Sequence, residues 1–303
     1  MIFAIQNELI FMSAFIQKIL WEIINQNTSE TETSWLTEKS NSEPLELMTA
    51  FVACPRFLSK KLITVQPETA AELNQAIAGF SVERWSLVRL ARIWLLTHLD
   101  AADEETYIKH INTLFDTAEM NELVALYSAL PILGYPQQWL FRATDAVRSN
   151  MGFVFDAIAL RNPYPAKYFN EAAWNQLVMK TIFNDKPIHF IEGLNERQNK
   201  NLALILSDFA HERWAAGRSV APQVWRLTSS FLDETLLSDI QQLLKSGNIE
   251  NQQVAAIASI ESGYQPAIDL LAQHPELEKA VASNELTWAN FETKDLNTYV
   301  PQP

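Results

Sequence analysis

Residues 194–216 hold the densest set of side chains able to do chemistry. Leu202, Ile205, Leu206 and Phe209 recur at three- and four-residue spacing, which predicts an amphipathic helix closed by Gly217 as a C-terminal cap. Arg213 lies four residues after Phe209 and seven after Leu206, so it projects from that stripe. A guanidinium there needs a carboxylate or several carbonyls, because an unpaired buried charge is costly. Asp208, His211 and Glu212 lie three and four apart on a more polar flank. One reading is a ligand-facing charged cluster with His211 as a proton carrier. The other is an ion-pair network between helices that fixes their packing, the commoner use of such groups. Glu122 and Asp156 are candidate carboxylate partners for the arginines.

Two further groups could meet a ligand. Arg148 and Asn150 precede Gly152, and a glycine read as lying inside a helix points to a close helix crossing or ligand approach. Asp145, three residues before Arg148, makes an ordinary surface pair the leading explanation. The turn Asn162-Pro163-Tyr164-Pro165, with Tyr168, Trp174 and Asn175, concentrates rings and amides. Such residues line pockets for flat or prenylated ligands, or they fill the core between helices. A pocket here is expected between this turn and the face carrying residues 208–213. The ligand- or partner-binding set is then Arg148, Asn150, Tyr164, Tyr168, Trp174, Asn175, Asp208, His211, Glu212 and Arg213. No catalytic residue and no metal ligand is assigned.

The rare residues exclude several chemistries. The seven glycines never come closer than 16 positions, so no phosphate-cradling loop and no nucleophile elbow is present. Cys54 is the single cysteine, which rules out an internal disulfide and a cysteine-based zinc cage. His211-Glu212 begins a zincin pattern, but Ala215 stands where the second imidazole belongs. No cofactor is expected. A net charge of −13 opposes nucleic acid as a partner and disfavours adsorption to an anionic membrane surface.

The elements that must position these groups all read as helices, and the glycine shortage argues against a fold of many tight β-turns. Residues 85–96 carry an apolar stripe with Arg89 and Arg92 outside it. Residues 121–130 stop at Pro131, and Pro136 opens a helix running to about Leu160. Asn170 caps a helix through Phe183, and Pro222 begins a short one. Residues 235–275 alternate two apolar helices around Ser246-Gly247-Asn248, the pattern of HEAT-like hairpins. Residues 28–44 read as a polar linker or an exposed short helix. Residues 2–24 form an amphipathic helix with Ile16, Ile19, Leu20 and Ile23 on one face, too interrupted to span a membrane. No basic residue precedes Glu8, as a secretory signal would require, so a cytoplasmic protein is expected, near the inner membrane if residues 2–24 touch it. Met12 is an alternative translation start.

The middle of the chain resembles the EboA family. The likeness rests on NELVALY at 121–127, ALP at 129–131, Tyr135-Pro136, RSNM at 148–151 and AIALRNPYP at 157–165, then Tyr168-Phe169, Glu171, AWNQ at 173–176 and AHERWAAGR at 210–218. It is strong over residues 121–226. The resemblance implies a bacterial protein from a small operon. That operon also encodes a UbiA-like prenyltransferase, a TatD-like metal hydrolase, a sugar-phosphate-cyclase-like protein and a TIM-barrel protein. It is linked to moving or maturing a secondary-metabolite precursor, as toward the periplasm in scytonemin producers. No catalytic residues come with it.

The expected architecture is all-α: stacked antiparallel helix pairs, α-solenoid-like, with HEAT-like hairpins at the C-terminal end. Residues 1–44 would form the amphipathic helix and linker. Residues 45–303 would form an EboA-like helical domain with its HEAT-like tail at about 229–285. The expected function is a non-enzymatic accessory or scaffold protein that binds an operon partner (the prenyltransferase-like or TatD-like protein) or a hydrophobic or prenylated precursor. The alternative is an enzyme acting on that precursor with its polar centre around His211.

Overall fold

The computed structural model describes residues 2–292, with side chains from residue 14 onward. The described residues form an all-α protein; their only β pairing is an isolated bridge between Leu62 and Ser86. They divide into two compact units, residues 2–174 with 190–192, and residues 175–189 with 193–292.

The first unit contains α1 (Ile2–Asn27), α2 (Glu30–Ser40), α3 (Pro44–Phe57), α4 (Pro67–Ala76), α5 (Leu87–Leu96), α6 (Glu104–Thr117), α7 (Met120–Ala129), α8 (Leu140–Arg148), α9 (Gly152–Ala159) and α10 (Tyr164–Tyr168). Alternate helices pack in sequence order, α3 on α5, α5 on α7 and α7 on α9, and α1 also lies on α5. Centrality explains why nine of the ten residues of α5 are buried. Ile16, Ile19, Leu20 and Ile23 of α1 bury the expected face inside this unit. Residues 2–13, the first half of the segment expected to touch a membrane, lie outside the described side chains. The polar stretch after α1 is a capped helix: Ser29 and Glu32 form a reciprocal capping box, and Leu36 is buried.

Arg92 corrects the sequence reading of α5. It is not outside the apolar stripe but buried, at 3% exposure. Its Nη2 donates to Glu122 Oε1 at 3.2 Å and its Nε to the Phe51 carbonyl at 3.0 Å. Glu122 is thus one of the foreseen arginine partners, and its other oxygen accepts the Glu119 N–H at 3.1 Å to cap α7. Burial pushes Cys54, beside this pair, up to about 12, the behaviour of a small inert core residue.

The helix expected from Pro136 to Leu160 is broken. A 3₁₀ turn at Pro136–Trp139 leads into α8, and residues 149–151 separate α8 from α9. Gly152 is therefore the first residue of α9, not an interior one, and a Cβ there would meet open space. No close crossing requires it.

α11 (Glu171–Phe183) carries the division between the units, and its N-terminus is capped as foreseen, Ala173 N–H donating to Asn170 Oδ1 at 2.9 Å. The second unit continues with α12 (Lys200–Ala215), α13 (Leu237–Lys245), α14 (Ile249–Ser262), α15 (Gln265–Asp269) and α16 (Pro275–Ala282). α13 and α14 pack as a hairpin across residues 246–248. Leu236, Ile240, Leu243 and Leu244 on one side and Val254, Ala255, Ile257 and Ala258 on the other are all buried. The last 11 residues of the expected C-terminal domain, 293–303, lie outside the described residues.

Candidate functional site

α12 starts six residues later than its sequence suggests. Asn199 caps it by accepting the Leu202 N–H at 2.9 Å, and its amide exchanges bonds of 2.8 and 3.1 Å with the Asn175 amide on α11. Asn175 is therefore a buried clasp between two helices. The inward face of α12 consists of Leu202, Ala203, Leu206, Ser207 and Ala210. Ile205 is exposed and Phe209 lies at the edge, so the stripe is rotated by about one position from the expected one. The rotation puts Ser207 inside.

Ser207 and His211 are four residues apart and share one edge of α12. Both reach Asp239, at the third position of α13. Ser207 Oγ donates to Asp239 Oδ2 at 2.6 Å, and His211 Nε2 contacts Asp239 Oδ1 at 2.6 Å. The Asp239 side chain is 1% exposed and that of His211 51%. An ionised carboxylate only accepts, so Nε2 carries the proton in this contact. Asp239 also stands in the first turn of α13, where a negative charge complements the helix dipole.

The order of these bonds decides what the cluster can do. A nucleophilic triad places the imidazole between hydroxyl and carboxylate, so that the base takes the hydroxyl proton. Here the carboxylate stands between hydroxyl and imidazole. The Ser207 proton is directed at Asp239, and His211 faces solvent on its other side. Such a cluster holds α12 to α13. Among the described residues, no three His, Cys, Asp or Glu side chains are placed to hold a metal ion.

Sequence reasoning did not single out Ser207 or Asp239, although a signal existed. Leu236, Asp239, Ile240 and Leu243 fall on one helix face, and Ser207 falls between Ala203 and Ala210 on another. A polar residue inside an apolar stripe marks a satisfied buried group.

The other expected residues are distributed as follows. Arg213 is half-buried; its Nε donates to the Ser219 carbonyl at 2.6 Å and its guanidinium lies 5.6 Å from the Phe209 ring centre. It thus stitches the C-terminal end of α12 to the following loop, where Gly217 adopts φ +67°. Asp208 and Glu212 are exposed on the outer face. Trp214 stacks on buried Trp225 at 5.5 Å and lies 5.7 Å from the His211 ring.

In the first unit, Arg148 is exposed and pairs with Asp145 at 3.3 Å, the ordinary surface pair. Asn150 is exposed in the break before α9, and Asp156 is half-buried within it. Asn162, buried, donates to the carbonyls of Tyr127 (3.0 Å) and Ala157 (2.8 Å) and accepts the Tyr164 N–H at 3.0 Å. This side chain fixes the proline-rich turn. Tyr164 is buried, its hydroxyl donates to the Pro136 carbonyl at 2.5 Å, and burial pushes its phenol far upward. Its ring lies 4.8 Å from half-buried Tyr168. Trp174 is fully buried. Tyr164 and Trp174 therefore fill core.

A family model described as "Metabolite traffic protein EboA" matches residues 16–229. No curated protein and no solved structure matches the chain. Among the described residues, no helix is long and apolar enough to cross a membrane.

Proposed function

The chain belongs to the EboA family, and on that premise we propose that it is an accessory protein that binds and hands on a metabolite precursor without making or breaking its bonds. The family description supports the metabolite-handling role. The observation that carries the non-catalytic reading is the bond order at Asp239: its carboxylate accepts from both Ser207 and His211, and among the described residues no hydroxyl is aimed at the imidazole. The partners proposed are products of the same operon, the prenyltransferase-like and TatD-like proteins. The cargo proposed is a hydrophobic or prenylated precursor. The helices stacked in sequence order in the first unit favour binding along a surface over chemistry in a closed vessel.

Native mass spectrometry tests this reading. The full chain is purified from cells expressing the whole operon and, separately, from cells expressing the chain alone. A small molecule or an operon product retained only in the first preparation supports the proposal. A bare chain in both preparations refutes it.

A further inference from the structure

A cleft of about 290 Å³ opens in the first unit where α1, α2 and the end of α5 meet. Trp21 and Lys18 of α1 line it, with Ser40 of α2, Trp94 of α5 and His98 just beyond α5. Its volume is at the lower end of the range for small-molecule sites, so it fits a ligand of one or two rings. Trp21, half-buried, stacks on Trp94 at 4.5 Å and 25°, and the His98 ring stands edge-on to Trp94 at 4.3 Å. The walls are therefore aromatic and mutually braced.

The polar groups have defined characters. His98 Nδ1 lies 3.0 Å from the Trp94 carbonyl. A carbonyl only accepts, so Nδ1 carries the hydrogen, and the neutral ring offers Nε2 as an acceptor. Burial lowers the His98 pKa, against the opposing effect of the Trp94 hydrogen bond, and so favours that neutral form. Lys18 is exposed, and among the described residues no carboxylate pairs with it. Among the described residues no Asp or Glu lines the cleft, in a chain of net charge −13.

We propose that this cleft binds a small planar aromatic acid, its ring against Trp21, its carboxylate at Lys18 and a ring N–H or O–H donated to His98 Nε2. The inference rests on the reading of the chain as a metabolite-handling protein and names a class of molecule that this cleft takes. Each part of the ligand answers one feature of the wall: the ring answers the indoles, the negative charge answers the lone ammonium, and the donor answers the imidazole lone pair.

The test uses indole-3-acetate as probe, titrated by calorimetry into the full chain. Indole, which lacks the acid, and tryptamine, which carries the opposite charge, are the comparators. The probe should bind more tightly than either. Lys18→Gln, at an exposed position, should weaken the probe about tenfold, the loss of one charge-assisted contact, and leave indole unchanged. Trp21→Ala should remove binding of both, with melting temperature measured alongside to confirm folding. Absence of probe binding to the native chain overturns the proposal. So does tryptamine binding as well as the acid, or probe binding that survives Lys18→Gln undiminished. The two readings separate cleanly. A native cargo still retained by folded Lys18→Gln and Trp21→Ala chains upholds metabolite handling and rejects this cleft. Probe binding here with no cargo ever retained does the reverse.

Discussion

Replacing Asp239 with alanine removes a carboxylate that is 1% exposed and holds two bonds of 2.6 Å. The largest loss is at Ser207, whose buried hydroxyl is left without its acceptor, at a cost of about 1–3 kcal/mol. The His211 contact adds less than about 1 kcal/mol, because water replaces the carboxylate at a half-exposed imidazole. Loss of a negative charge in the first turn of α13 adds a few tenths to about 1 kcal/mol. The expected destabilisation is therefore about 1–5 kcal/mol, read by urea unfolding with tryptophan fluorescence. Trp214 and Trp225 lie in the same unit as the cluster and report on it. Ser207→Ala with Asp239→Leu, which removes donor and acceptor together, should recover much of the loss. A loss below about 0.5 kcal/mol for Asp239→Ala, the range of ordinary surface substitutions, would refute the view that this carboxylate clamps α12 to α13. Strict additivity of Ser207→Ala and Asp239→Ala would refute it equally.

Two other perturbations follow from the same geometry. Glu122→Ala strands the Arg92 guanidinium in the core of the first unit and removes the Glu119 cap, so unfolding should show a loss of about 3–5 kcal/mol; Arg148→Ala, at an exposed pair, should stay within about 0.5 kcal/mol. Burial holds the His98 pKa below the ordinary 6.5, so below that pH the unfolded chain takes up a proton that the folded chain resists. Stability should therefore fall as pH drops below about 6.5, and denaturation midpoints of His98→Gln should show a shallower fall than the native chain over that range.

Helices whose stripe and punctuation agreed could be read from the chain directly. α7 and the α13–α14 hairpin follow from apolar spacing bounded by Pro131 and by Ser246-Gly247-Asn248, and α5 from its spacing alone. What stayed hidden has a common cause. Pattern reading places polar residues outward, so Arg92, satisfied by a partner 30 residues away, is assigned to the wrong side, and Ser207 and Asp239, which satisfy each other across 32 residues, pass unnoticed within their apolar stripes. The break at residues 149–151 has no proline to announce it, and Gly152 next to it reads from the sequence as a helix interior. The cleft lined by Trp21 and Trp94 joins residues more than 70 positions apart, a pairing set by tertiary packing and carried by no local signal. The rings of the proline-rich turn follow the usual fate of large aromatics, burial, with Asn162 supplying the hydrogen bonds that the turn needs.

The central claim, that the polar cluster on α12 holds structure and performs no chemistry, meets its most direct test in His211→Gln. Glutamine keeps an N–H donor for Asp239 but cannot carry a proton in catalysis. The variant is returned to cells bearing the intact operon, and the final metabolite and the melting temperature of the purified chain are measured together. Metabolite at the native level with a nearly unchanged melting temperature is the predicted result. Metabolite abolished while the melting temperature holds would make His211 a catalytic residue and contradict the account.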